Sequence, residues 1–400
     1  MDLRFSAEEL AFRDEVRGFI RDNLPEDIRE RLQLGHKVEK PDIVRWQRIL
    51  NEKGWAAYSW PKEWGGPGWT PIQRMMFLEE IQTFPAPEVN PFNITMLGPV
   101  LIQFGSEEQK SRFLPRAANL DDWWCQGFSE PGAGSDLAAL KTAARLDGDH
   151  YVVNGQKIWT STAHMADWCF CLVRTNPQAP KKQEGISFLL IDMQTPGITV
   201  RPIISIDGEH HLNEVFFDDV RVPVAMRIYE ENKGWDVAKF LLGNERTGIA
   251  RLGKSKERVN FAKQKARNLR AHGKPLSEDP EFRRRIAALE AELKSLEITQ
   301  LRVLSAQKAG ERRQDPLTAV LKLKGTELLQ ATTELAVDVA GPLAMPDWAD
   351  ELEALSNEPE LGPVWATEAT RSYLFLRAAS IYGGTNEIMK NIVSKAVLGL

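Results

Sequence analysis

The sequence predicts a mostly helical α+β protein in which a compact β region is flanked by two helical ones, and three observations carry that expectation. The hydrophobic period is helical up to about residue 122, becomes that of strands over 123–231, and returns to helical over 232–400. At 400 residues the chain exceeds what one hydrophobic core usually organises, so two or three units sharing interfaces are expected. With 42% hydrophobic and 27% charged residues it has the balance of a folded globular protein.

In the first region, residues 1–122, Ser6-Ala7-Glu8-Glu9 has the form of a capping box, and Phe5 and Leu10 are spaced for a hydrophobic staple. Phe12, Val16, Phe19 and Ile20 then recur on one helical face until Pro25 ends it. The loop Trp60-Pro61-Lys62-Glu63-Trp64-Gly65-Gly66-Pro67-Gly68 breaks the pattern, and helices are expected again from Pro71 and from Glu107.

In the central region, residues 123–231, Asn154-Gly155 separates Tyr151-Val152-Val153 from Gln156-Lys157-Ile158-Trp159. This reads as a hairpin, because Asn-Gly supplies the positive φ angles of a type I′ turn. Asp167 to Arg174, Gly185 to Met193, Gly197 to Ile203 and Glu214 to Val222 continue the strand pattern, and short strands between turns point to a small antiparallel barrel or sandwich. In the last region, residues 232–400, Phe282, Ile286, Leu289, Leu293 and Leu296 alternate steps of four and three, the seam of a helical bundle. Further helices fit Pro316 to Ala340, Pro363 to Ile381 and Thr385 to Leu398.

A net charge of −5 with both signs interleaved argues against a nucleic-acid partner. The start lacks a basic region followed by an apolar run, and no stretch approaches the roughly 18 apolar residues a membrane span needs, so a cytoplasmic protein is expected. Cys125, Cys169 and Cys171 are too few for a disulfide framework and lack zinc-site spacing, and the six histidines lack helical pairing. No metal site is expected, and the cysteines read as small apolar residues in or near strands.

The segment Gly127-Phe128-Ser129-Glu130-Pro131-Gly132-Ala133-Gly134-Ser135-Asp136 combines glycines, which free backbone N–H groups to face an anion, with two hydroxyl donors. Read alone, that composition favours a plain turn leading into a strand. It is followed in order by Asn154-Gly155-Gln156-Lys157-Ile158-Trp159-Thr160-Ser161 and by Ile381-Tyr382-Gly383-Gly384-Thr385-Asn386-Glu387. Trp60 to Gly66 and Phe104-Gly105-Ser106-Glu107-Glu108-Gln109-Lys110 precede it. Together these blocks closely resemble the acyl-CoA dehydrogenases, and in particular bacterial members with the catalytic glutamate on a bundle helix.

The resemblance implies an N-terminal helical domain (1–122), a central β-barrel (123–231) and a C-terminal four-helix bundle (232–400), with FAD between barrel and bundle. It puts Phe128 and Ser129 at the flavin ring, Ser135 at the pyrophosphate, and Trp159, Thr160 and Ser161 along the ring near N5. Gly134, Gly341, Thr385 and Glu387 are implied as further cofactor positions, and Ser135, Arg246, Tyr382 and Gly383 as substrate positions. Two family motifs are altered. An Arg-x-x-Phe-Gly segment appears as Leu269-Arg270-Ala271-His272-Gly273, which puts the cofactor contact of Arg270 in question, and Gln-x-x-Gly-Gly appears as Asp338-Val339-Ala340-Gly341-Pro342.

Many relatives carry the catalytic glutamate directly after the Ile-Tyr pair, where this chain has Gly383. Either the chain is inactive or another carboxylate serves. Relatives acting on branched and long acyl chains place it on a bundle helix before an arginine, the position of Glu245-Arg246. Leu241, Glu245, Ile249 and Leu252 share a helical face, and no basic residue lies three or four positions from Glu245, so a local ion pair is excluded. A distant cation remains as the other reading, and Glu387 is a rival base, although its place after Thr385 suits a helix N-terminus. Gly383 would then contribute its backbone N–H to the thioester oxygen.

The implied reaction is α,β-dehydrogenation of an acyl-CoA to the trans-2-enoyl-CoA in fatty acid β-oxidation, with an electron-transferring flavoprotein as electron acceptor. A homo- or hetero-oligomer, dimer or tetramer, is implied, with this chain as the large subunit if the enzyme is hetero-oligomeric. An acyl-CoA oxidase would share the motifs, a flavin monooxygenase would leave Glu245 without a task, and a non-catalytic subunit of a heteromeric enzyme is the reading of a different class. Gly243 and Gly383 hint at room for a bulky acyl group.

Overall fold

The computed structural model describes residues 4–34, 36–245, 250–306, 317–346 and 362–400. Helices α1 (Ala7–Asn23), α2 (Glu26–Leu34), α3 (Lys40–Glu52), α4 (Pro71–Thr83), α5 (Gly98–Phe104) and α6 (Glu107–Ala118) come first. The strands β1 (Trp124–Gly127), β2 (Ala143–Asp147), β3 (His150–Lys157), β4 (Trp168–Arg174), β5 (Ile186–Asp192), β6 (Ile198–Ile204), β7 (His210–Pro223) and β8 (Arg227–Ile228) follow. Then come α7 (Gly234–Glu245), α8 (Leu252–Asn268), the short strands β9 (Arg270–Ala271) and β10 (Lys274–Pro275), α9 (Pro280–Ala306), α10 (Leu317–Ala340), α11 (Val364–Phe375) and α12 (Asn386–Val393). No described helix is long and apolar enough to cross a membrane.

The chain divides into two compact units that are not contiguous in sequence. One comprises residues 43–68 and 89–245 and holds the sheet, in the strand order β6-β7-β3-β2-β4-β5-β8 with β1 beside β4. All neighbours are antiparallel except β1 and β2, which meet β4 in parallel. Its core gathers Cys125, Tyr151, Val153, Cys169, Leu189 and Val215, so the cysteines are buried free thiols, and burial pushes Cys171 well above its usual range. Gly127 is obligatory beside them, since a Cβ there would lie 2.8 Å from the Cys169 sulfur.

The expected Asn154-Gly155 turn is corrected by the structure: β3 runs straight through both residues. Pairing with β7 shifts register between Val153 and Gly155, which makes this a β-bulge. Gly155 sits at φ 150°, where a Cβ would fall 2.6 Å from the Thr142 Cα, so the dipeptide serves close backbone approach rather than chain reversal. Asn154 and Asp219 lock the bulge by exchanging two hydrogen bonds, of 2.8 and 2.9 Å. The reversal itself lies at Gly148-Asp149, where Asp147 pairs with His150 and Gly148 takes φ 63°.

The other unit comprises residues 1–42, 69–88 and 246–400 and is helical. The capping box at Ser6 forms, with Glu9 N–H donating to Ser6 Oγ at 3.2 Å and Ser6 N–H to Glu9 at 2.7 Å. The staple does not: Leu10 stays 45% exposed, whereas Phe5 packs on the cluster of Met75, Met76 and Leu301. Ile286, Leu293 and Leu296 of α9 are buried against Val259 of α8 and Leu321, Leu328 and Leu335 of α10, with Phe282 and Leu289 at the edge, as the alternating steps predict. The last two helices are shorter than expected, because α11 tightens into a 3-10 turn over Leu376–Ser380 and α12 widens into a π turn over Ser394–Leu398.

Candidate functional site

The segment after β1 is held by a buried ion pair that the sequence reading assigned no role. Glu130 accepts from Lys157 Nζ at 2.7 Å and from the N–H groups of Lys141 and Thr142 at 2.6 and 2.9 Å, while Lys157 also donates to the Phe128 carbonyl at 3.2 Å. Burial works to raise the Glu130 pKa, but the Lys157 charge and these donors outweigh it and hold the carboxylate below its usual range. Lysine in a strand core was the available signal. The Phe128 side chain turns into the core, edge-on to Phe170 and Phe188, so at the surface this position offers backbone. Ser129 is half-buried, and Gly134 and Ser135 are exposed further along the turn.

Ser129 and the Trp159 to Ser161 block are brought together, because Ile158 N–H donates to the Ser129 carbonyl at 2.9 Å. Trp159 is not a core aromatic: it is 56% exposed at φ 58°, and Thr162 is left-handed too at φ 55°. Such φ values in non-glycine residues persist where surroundings enforce them. Here Asn213 clamps Thr160, accepting its N–H at 2.9 Å through the main-chain carbonyl and donating back to its carbonyl at 3.0 Å, and the Trp123 indole donates to Thr162 Oγ at 3.1 Å. The Thr160 side chain is buried, yet its hydroxyl has no partner. An exposed indole beside an unsatisfied buried hydroxyl suits a flat polar heterocycle, so these residues fit a flavin. A cavity of about 260 Å³ opens nearby, walled by Asn213 and the stacked rings of His164 and His210, 3.9 Å apart.

Glu245 is the last residue of α7, one turn after Leu241, and Val237, Ala238 and Leu241 of that helix are fully buried. Its side chain, and Arg246 and Ile249 as a whole, lie outside the described residues. Separately, Tyr382 is 40% exposed, and Gly383 and Gly384 take φ 63° and 87° in the turn before α12. Thr385 caps that helix by accepting from Ile388 N–H at 3.2 Å, and Glu387 occupies its exposed first turn. The N–H at Glu387 and the Thr385 hydroxyl lower the Glu387 pKa, which suits a capping carboxylate better than a base.

Arg270 is exposed and donates to the Gly273 carbonyl at 3.0 Å across a two-residue turn, with His272 and Gly273 both left-handed. Gly341 ends α10 at φ 56°, and Asp338, where relatives have the amide, pairs with Arg285.

The sequence matches three acyl-CoA dehydrogenase domain families in order: the N-terminal domain over residues 6–121, the middle domain over 125–220 and the C-terminal domain over 232–398. It is 37% identical over 397 residues to the acyl-CoA dehydrogenase IpdE1 of Mycobacterium tuberculosis, covering 97% of each chain. Among solved structures it is similar to a chain of the ChsE4-ChsE5 complex from Mycobacterium tuberculosis, with a TM-score of 0.83, 32% identity and coverage of 100% and 99%. It is also similar to the Tcur3481-Tcur3483 steroid ACAD, with a TM-score of 0.83, 28% identity and the same coverage.

Proposed function

The chain belongs to the acyl-CoA dehydrogenase family, and from that premise we propose that it introduces a 2,3 double bond into an acyl-CoA, using FAD and with Glu245 accepting the α proton. The observation that carries the cofactor reading is the Trp159-Thr160-Ser161 loop, whose strained, clamped backbone presents an exposed indole and an unsatisfied hydroxyl. When bound, FAD supplies the acceptor for the β hydride.

A carbon acid beside a thioester needs a base stronger than a solvated carboxylate. Glu245 closes the helix whose Val237, Ala238 and Leu241 are buried, and in this proposal burial of its carboxyl is what would bring the pKa toward the operating range. Gly383 favours the same assignment from the other direction: at φ 63° a side chain would be strained, so this position offers an N–H for the thioester oxygen and no carboxylate.

The structural relatives are a complex of two different chains and a steroid ACAD, also named as a pair. By that likeness this chain takes a polycyclic acyl group and works beside a second, different chain; its membership of the family, rather than these two structures, favours an electron-transferring flavoprotein as its electron acceptor. Anaerobic titration of the purified flavoprotein, with any co-expressed partner, against straight, branched and ring-bearing acyl-CoAs tests the reading. Bleaching of the flavin by ring-bearing thioesters is expected, and a flavin that no acyl-CoA bleaches would overturn it.

A further inference from the structure

Helix α8 carries a set of groups that this reaction does not use. Arg251, Lys254, Ser255 and Arg258 fall at spacings that share one helical face, and Arg251 enters the helix at a left-handed φ of 43°. Ser255 has no exposed surface, and its hydroxyl has no partner. Arg258 Nη1 and Arg251 Nε are likewise buried and unsatisfied. Lys256, on the same helix, shows the ordinary arrangement: it pairs with Glu79 at 2.7 Å and Glu297 at 3.3 Å. Unsatisfied buried donors are rare, and three on one face call for an acceptor.

The charges agree. Arg251 pairs with Glu88 through Nη2; burial would raise Glu88, but Arg251 and Lys254 outweigh it and hold the carboxylate below its usual range. Burial pushes Glu257 the opposite way, toward its neutral form. Burial and the like charge of Arg251 bring Arg258 down to about 10, so it is still a cation at neutral pH. Arg251, Lys254 and Arg258 therefore share this face with the Glu88 carboxylate, and burial pushes Lys254 down as it does Arg258. The Tyr382 phenol lies within electrostatic reach of Arg251 and Arg258, and Gly383 follows it in the chain.

We propose that the Arg251, Ser255 and Arg258 face of α8 binds an acceptor oxygen carried by the acyl group away from the thioester, so that the substrate is an oxygenated acyl-CoA. This deepens the reading above and rests on Tyr382 and Gly383 as substrate positions. A purely hydrocarbon acyl group leaves all three donors unsatisfied. A carboxylate satisfies them and balances the charge, while a hydroxyl or ketone satisfies one or two.

The test is anaerobic titration of the flavin-loaded protein, with any co-expressed partner, against cyclohexylpropanoyl-CoA and its ring-hydroxy, ring-keto and ring-carboxy counterparts. Binding is read from the flavin spectrum. At least one oxygenated thioester should bind about ten-fold or more tightly than the parent compound, and the arms tell carboxylate from neutral oxygen. The preference should shrink at least several-fold in Ser255→Ala and in Arg258→Met and return in part in Arg258→Lys. Flavin content and melting temperature establish that each variant is folded, and Ser255→Ala, which removes only an unpaired hydroxyl, serves if Arg258→Met is not. Equal binding of all four thioesters, or a preference that survives Ser255→Ala and Arg258→Met, overturns the proposal. A flavin that none of them perturbs or bleaches counts instead against the dehydrogenase reading on which it rests.

Discussion

Lys157 and Arg258 are both cations withdrawn from water, yet their surroundings differ in kind. Lys157 has no exposed surface and donates to Glu130 and to the Phe128 carbonyl, and Glu130 fills its remaining capacity with two backbone N–H groups. Arg258 keeps a buried nitrogen without a partner, next to the like charge of Arg251 and the unpaired Ser255 hydroxyl. A saturated buried pair defines a shape, here the turn after β1 that meets the start of the Trp159 loop at Ser129. An unsaturated face needs something to complete it.

The contrast can be broken most sharply at Lys157. Lys157→Met leaves Glu130 buried without a cation and should cost about 3–5 kcal/mol, seen as a large fall in melting temperature and loss of bound flavin. Adding Glu130→Gln should recover part of that loss. Near-parental melting of the single variant would mean that the pair does not hold the turn.

The same pair sets a pH dependence. Because the folded Glu130 pKa is depressed, its contribution is fully present above the unfolded value, near 4.3, and is lost as pH falls through the folded value. Stability measured against pH should therefore lose this increment only below about pH 4.3, and the double variant should lose less over that window.

Gly155→Ala comes next in size. Its Cβ would meet the Thr142 Cα at 2.6 Å, and the expected cost is about 1–3 kcal/mol, read from denaturant midpoints. The smallest effect belongs to Thr160→Val. Without flavin the variant should be as stable as the parent or slightly more so, since it removes an unpaired buried hydroxyl. With flavin it should bind more weakly by about 0.5–1.5 kcal/mol. A flavin affinity equal to the parent's would show that this hydroxyl does not touch the ring.

Local signals were legible in the sequence where their physics is local. The Ser6 capping box and the bundle seam on α9 follow from side-chain spacing alone, and both are present. Asn154-Gly155 signals permissive backbone without saying whether the need is a reversal or a close approach. That depended on Thr142 and Asp219, distant in sequence. The Glu130 and Lys157 pair was hidden for the same reason: each residue lies in a block with a recognisable pattern, but their meeting depends on β1 and β3 sharing a sheet. Trp159 lies exposed beyond the end of β3, and the clamp by Asn213 beside it carries no sequence signature. On α8 the spacing of Arg251, Lys254 and Arg258 is visible in the sequence, whereas the missing partners are a property of packing.

The central claim is that Glu245 is the base and that Gly383 supplies only backbone. Glu245→Gln keeps size and hydrogen bonding but removes the proton acceptor. In anaerobic stopped-flow mixing with an acyl-CoA that the parent oxidises, flavin reduction in this variant should slow by about 10²–10⁴, while flavin content and acyl-CoA binding hold. Reduction at nearly the parental rate in Glu245→Gln, with the loss appearing in Glu387→Gln or in neither, would contradict the account.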